Sequence, residues 1–169
     1  MSADLIDHYR MLARYNRLAN ERLYDACEAL PDAERTKIRK AFFRSIHGTL
    51  NHILVGDRIW MTRFTGGEIP STSLDAILFE DFDGLRQARR AEDRKIETFA
   101  GSLTPEFLGG SIRYENNEGR MFDDAAPMLL SHFFNHQTHH RSQIHDMLTQ
   151  TAVPPPVLDL HRVLKPDPD

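Results

Sequence analysis

The sequence predicts an all-α protein, a four-helix bundle, on three observations. Apolar residues recur at steps of three and four through four separate stretches, proline and glycine signals punctuate them, and one segment only loses the helical period. At 169 residues the chain suits a single domain, 1–169, able to bury a full core without disulfides or a structural metal. A composition of 40% hydrophobic and 27% charged residues, with a formal net charge of -4 spread along the chain, argues against nucleic acid as a partner. No signal-peptide core opens MSADLIDHYR and no apolar run reaches spanning length, so a cytoplasmic location with no membrane contact is expected. The single Cys27 falls at helical spacing beside Leu23 and Leu30 and reads as a small core residue.

From Ala3 to Leu30, Leu5, Leu12, Tyr15, Ala19, Leu23, Ala26 and Leu30 form the stripe of a first amphipathic helix. Pro31-Asp32 breaks it, and Asp32 can cap a second helix that runs to about Phe64. The apolar set of that helix includes Phe42, Ile46, Leu50, Ile53, Ile59, Trp60 and Phe64; its middle is apolar over most of the circumference, so it is covered on more than one side. Thr65-Gly66-Gly67 and Pro70 end it and open a loop to Ser73, after which Leu74, Ile77, Leu78, Phe82, Leu85, Ala88, Ile96, Phe99 and Leu103 mark a third helix. Between Thr104 and Asp123 the chain makes a long third-to-fourth crossover, where Ile112 and Tyr114 alternate with polar residues and Asn116-Asn117-Glu118-Gly119 reads as the turn of a short hairpin. A fourth helix begins near Asp123-Asp124 and ends near Thr151; Pro154-Pro155-Pro156 stops it, Val157 to Leu164 can form a short C-terminal helix, and Pro166 to Asp169 is expected to fray.

The fourth helix puts histidines where core leucines belong. Around His136, His132 and His140 lie about 40° to either side, and Leu129, Gln143 and Met147 within about 20°. Several buried imidazoles on one stripe rarely find enough carbonyls and carboxylates, whereas a metal ion satisfies them together. Residues eight apart are separated by about 12 Å along the axis, so one ion can take His132 with His136 or His136 with His140, not all three. His139 is a third option through an i,i+3 step, and His145 points to the opposite, solvated face. The remaining ligand must come from another helix, and His8, His47 and His52 are the candidates. Periodicity leaves that choice open, although Gly56, one turn beyond His52, would leave space beside a metal. With nine histidines in this length a lone HxxxH has little weight, and a hydrogen-bonded polar core is the competing explanation.

The segment NHQTHHRSQIHDML, with TLNHILVGDRIW in the second helix, resembles the paired signatures of the DinB-like (YfiT-like) superfamily of metal-binding four-helix bundles, bacterial proteins named for DNA-damage induction. The resemblance extends over nearly the whole chain, through YNRLANERLY, LFEDFDGLR and the PVLDL end, with Ser142 where glycine is usual. It implies His52, His136 and His140 as ligands of one divalent metal, zinc or nickel, a packing or supporting role for His132, and a homodimer.

Three neutral imidazoles leave a coordination position open. The resemblance further implies a thiol-dependent enzyme, in which the metal activates a low-molecular-weight thiol, the cosubstrate, for attack on a small-molecule electrophile. Asp57 and Tyr15 are nearby polar groups that the sequence does not place, and the proton acceptor is unassigned. The alternatives are metal-hydroxide hydrolysis, which a carboxylate base beside the site would favour, and a non-catalytic metal-binding stress-response dimer. No HExxH motif and no repeated Glu-x-x-His of a di-iron bundle occurs. Trp60, Phe64, Phe133 and Phe134 read as core or dimer packing, and Arg86, Arg89, Arg90 and Arg94, mixed with Glu92 and Asp93, as a solvated helix face.

Overall fold

Four long helices carry the structure: α1 (Ser2–Glu28), α3 (Ile46–Thr65), α4 (Phe82–Gly101) and α6 (Ala126–Leu148). Three short ones, α2 (Asp32–Thr36), α5 (Pro105–Leu108) and α7 (Leu160–Leu164), and a two-stranded antiparallel hairpin, β1 (Ser111–Glu115) with β2 (Met121–Ala125), complete it. The computed structural model describes residues 2–69, 71–116 and 118–166, without the side chains of residues 2 and 3. The expectations for Pro70, for Asn117 in the hairpin turn and for fraying over 167–169 lie outside the described residues. No helix among the described residues is long and apolar enough to cross a membrane.

The core is divided in two along the bundle. One cluster joins Tyr9 and Ala13 of α1, Met61 and Phe64 of α3, Ile96 and Ala100 of α4, and Leu130 and Phe133 of α6. The other joins Leu23 and Cys27, Leu50 and Leu54, Phe82 and Leu85, and Ile144 and Leu148. Each fully buried leucine here stabilises the fold by roughly 1.5–3 kcal/mol. The pairing of ends shows that α1 and α6 run one way and α3 and α4 the other. Because α3 and α4 are parallel, the chain must travel back along a helix of about 30 Å before α4 begins. Residues 66–81 make that return.

This requirement overturns the predicted start of the third helix at Leu74. Leu74 and Ile77 lie in the return segment, 41% and 42% exposed, and α4 starts at Phe82, where the Asp81 carboxylate accepts from the Gly84 amide at 2.6 Å. The second predicted helix is likewise two elements. Helix α2 ends at Thr36, Arg44 adopts a φ of 66°, and Ser45 caps α3 by accepting from the Gly48 amide at 2.9 Å. A capping serine and a left-handed residue win over the apolar spacing, and Phe42 is 84% exposed rather than part of the stripe. Asp123 and Asp124 belong to β2, paired with Arg113 and Ile112, so α6 begins at Ala126 with Pro127 in its first turn. The hairpin turn is held by the Asn116 side-chain oxygen, which accepts from the amides of Glu118 and Arg120 at 2.9 Å each. The short C-terminal helix forms as expected: Val163 packs on Tyr15 and Ala19, and the Tyr15 hydroxyl donates to the Leu158 carbonyl at 2.7 Å.

Between the two apolar clusters lies a buried polar layer to which all four long helices contribute. Asp57 of α3 pairs with Arg89 of α4 at 2.5 Å and accepts from Gln137 of α6 at 2.9 Å. Arg89 also reaches Asp93 at 3.0 Å, and Asp93 accepts from Asn16 and Asn20 of α1 at 3.2 and 2.9 Å. Arg141 of α6 closes the layer on the Asn16 and Asn20 side-chain carbonyls. The predicted solvated face is therefore corrected: Arg89, Glu92 and Asp93 are buried. Burial pushes the Asp57 carboxyl up to about 6, against the pull of Arg89 and Gln137.

Candidate metal centre

Two helices and one return segment build the site. His52, in the middle of α3, and His136 and His140, one turn apart on α6, bring their rings together between the helices. His52 and His140 are buried and His136 half-buried. His52 Nε2 lies 3.3 Å from His136 Nε2 and 3.1 Å from His140 Nε2. One ligand atom from each of the three rings fits within 4.8 Å of the others.

The outer hydrogen bonds decide what those inner nitrogens carry. His52 Nδ1 is 2.7 Å from the Leu74 carbonyl, which only accepts, so Nδ1 bears the proton and Nε2 the lone pair. His140 Nδ1 donates to the Gln143 side-chain oxygen at 2.8 Å, and the Gln143 amide in turn donates to His139 Nε2 at 3.3 Å. His140 Nε2 thus also turns a lone pair inward. A proton on His136 Nε2 could serve one neighbour, but the pair of lone pairs at 3.1 Å is not a hydrogen bond. A cation between them is what stabilises such a set. Tetrahedral imidazole ligands at zinc distances stand about 3.3–3.4 Å apart, close to the spacing found. The residues present therefore fit a divalent ion bound by three neutral imidazoles.

Electrostatics agree with that donor set. Burial pushes His52 down to about 4, helped by the neighbouring His140 and opposed by the bond to Leu74. Burial and then the adjacent His140 and His52 rings push His136 down to about 3, and burial also lowers His140. All three rings are neutral at pH 7, so an ion need not displace protons to bind.

Neighbours fix the ring planes. Phe43, in the segment between α2 and α3, stacks on His52 with centroids 3.6 Å apart and meets His140 edge-on at 5.5 Å. Gly56 is required by His136: a Cβ at residue 56 would stand 2.9 Å from His136 Cε1. The space that glycine leaves is thus taken by a ligand ring rather than by the ion. A cavity of about 190 Å³ opens beside His52, Gly56 and His136, with Trp60, Arg63 and His132 in its wall.

The remaining candidates fall elsewhere. His47 is buried, but its Nε2 pairs with the Phe79 carbonyl at 2.8 Å. His8 and His139 are exposed, and His145 is half-buried rather than solvated. His132 packs edge-on to Trp60 at 5.1 Å, outside the three converging rings. Trp60 is half-buried and lines the cavity, whereas Phe64, Phe133 and Phe134 are core. Neither Asp57 nor Tyr15 touches the three rings: the first is in the polar layer, the second under α7. Sequence reasoning missed Leu74, Phe43 and Gln143 as the groups that orient the rings. Only Gln143, three residues after His140, had a readable signal.

Known proteins share this architecture. Protein DinB of Bacillus subtilis (strain 168) is 26% identical over 145 residues, 83% of this chain and 84% of that protein. The crystal structure of a DinB-like protein from Bacillus cereus ATCC 10987 matches with a TM-score of 0.59 at 17% identity, covering 82% of this chain and 89% of that one, a likeness of fold. The sequence profile of the DinB family matches residues 1–168, and with that span the chain belongs to the DinB family.

Proposed function

We propose that His52, His136 and His140 hold one divalent ion, zinc or nickel, and that the site activates a low-molecular-weight thiol for attack on a small electrophile. The observation that carries this reading is the convergence of three neutral imidazoles, two of them with lone pairs fixed inward, beside a cavity that a small molecule can enter. When bound, the ion supplies positive charge and an open position, which together let a thiol persist as thiolate at neutral pH. The chain's residues orient and enclose: Phe43 and Gly56 hold the rings, and Ile59 and Leu74 give the cavity an apolar wall.

The thiol must come from another molecule. Cys27, the only cysteine of the chain, is buried in the cluster with Leu23 and Leu54, and burial pushes its thiol up to about 12. In the reaction the cosubstrate thiol gives up its proton to solvent water, its sulfur bonds the electrophilic carbon, and the displaced anion leaves with the electron pair. Hydrolysis by activated water is the weaker reading, since no carboxylate lines the cavity among the described residues. The homodimer belongs to the same proposal and rests on the resemblance; the apolar middle of α3 does not argue for it, because residues 50–57 are buried by the chain itself.

The test is turnover. Metal-reconstituted protein, assayed with a panel of small thiols and 1-chloro-2,4-dinitrobenzene as electrophile, is expected to give saturable conjugation that disappears on metal removal. Rates equal to the uncatalysed reaction with every thiol, in protein that holds its metal, would overturn the enzymatic reading and favour a non-catalytic metal-binding role.

A further inference from the structure

Arg63 stands in the cavity wall with no acid to pair with among the described residues. It lies in the last turn of α3, seven residues beyond Gly56, and shares the lining with His52 and His136. Its guanidinium sits 4.5 Å from the Trp60 ring centroid and 4.7 Å from that of Tyr114, so two aromatic faces hold it in place. Among the described residues it donates from Nη2 to the Glu115 backbone carbonyl at 2.9 Å, while Nε is buried without an acceptor. The Asp124 carboxylate on the neighbouring strand is engaged by the Tyr114 hydroxyl at 3.0 Å.

Several other arginines of the long helices are paired with acids, whereas the buried Arg141 rests on the Asn16 and Asn20 side-chain carbonyls. Arg17, Arg58, Arg86 and Arg89 each have a carboxylate within ion-pairing distance. Arg63 has none among the described residues, though burial costs its charge enough to lower its pKa. A partly desolvated guanidinium with unused donors is a receptor for a planar anion, which it binds edge-on through paired hydrogen bonds.

We propose that Arg63 receives a carboxylate of the small molecule whose sulfur faces His52, His136 and His140, so that the site selects carboxylate-bearing thiols. The inference rests on the thiol reading for the sulfur and on Arg63 for the anion. A cavity of about 190 Å³ takes a small molecule beside the rings, and any larger body of the molecule lies outside.

The experiment uses cobalt-reconstituted protein and two isosteric probes, 3-mercaptopropionate and 3-mercaptopropionamide, read by the sulfur-to-cobalt charge-transfer band. Wild type is expected to bind the carboxylate probe about tenfold or more tightly relative to the amide. Arg63→Gln loses that preference while its cobalt content stays unchanged, and Arg63→Lys, a point charge without the fork, restores part of it. An unchanged carboxylate-to-amide ratio in Arg63→Gln would overturn the assignment.

A second readout separates this idea from the thiol reading. Trp60 is the only tryptophan, so propionate and propionamide can be titrated against its fluorescence with no sulfur present. If no thiol perturbs cobalt but propionate still shifts Trp60 in wild type and not in Arg63→Gln, the thiol reading fails and the carboxylate receptor stands. If thiols bind and propionate leaves Trp60 unmoved, with no preference between the two thiol probes, the receptor fails and the thiol reading stands.

Discussion

Replacing His136 by alanine is expected to cut the affinity for zinc or nickel by more than about 100-fold, beyond the 10- to 100-fold typical of changes outside a ligand set. Its ring is one of three whose nitrogens converge, so two ligands remain and neither chelates with the other from the same helix turn. Chelator competition on protein purified without an affinity tag measures it. Two companions sharpen the result. His132→Ala removes an imidazole on the same helix that is not among the three converging rings, and should leave the affinity within about threefold of wild type. Gly56→Ala adds a methyl 2.9 Å from His136 Cε1, so the ring must shift and affinity should drop roughly 10- to 100-fold even though alanine favours the helix by up to about 1 kcal/mol. Stoichiometric metal in His136→Ala with unaltered affinity would remove the ligand assignment.

The second large effect is on stability. Arg89→Ala leaves Asp57 and Asp93 buried without their shared cation, and should destabilise the fold by about 3–5 kcal/mol, a Tm loss of roughly 6–20 °C for a chain of this size. Arg86→Ala, on the same helix but paired with carboxylates that are more than half exposed, is the control and should cost less than about 1 kcal/mol. Urea titration followed by helical circular dichroism distinguishes them. Equal, small losses in both would mean that the polar layer contributes nothing beyond its packing. The layer matters for the site because Gln137, bonded to Asp57, directly follows His136 and fixes the rotation of α6 against α3.

How much of this was readable in the sequence depends on which force decides each element. Repeating apolar spacing placed α1 and α6 to within a few residues, because packing of one stripe dominates there. It failed at Phe42 and Leu74, where apolar residues happen to continue a helical spacing through segments that caps and chain direction break: Ser45 and Asp81 start the helices, and parallel α3 and α4 force an exposed return. The polar layer was legible but misjudged. Asn16 and Asn20 continue the Tyr9–Ala13–Leu23 stripe, and Arg89 and Asp93 sit between Leu85 and Ile96 at steps of four, four and three. Mixed charges usually mark a solvated face, yet position on the stripe carried the better information.

The site was legible in part. Helix geometry required His136 with one neighbour and could not choose between His132 and His140, nor among His8, His47 and His52. Resemblance made that choice, and the structure brings the chosen three together while His47 turns to Phe79. What spacing could not reveal is the long-range work: Leu74 reaches His52 across 22 residues, and Phe43 covers it from a segment expected to be helical. Contacts of that kind depend on the path of loops, which periodicity does not encode.

The most direct test is X-ray absorption at the metal edge on tag-free protein, with metal content from the same sample. About one zinc or nickel per chain, bound by three imidazoles and completed by an exchangeable ligand that a small thiol replaces with sulfur, is the predicted result. An ion with fewer than three imidazoles, or the absence of any bound ion after reconstitution, would contradict it and leave His52, His136 and His140 as a polar cluster in the core.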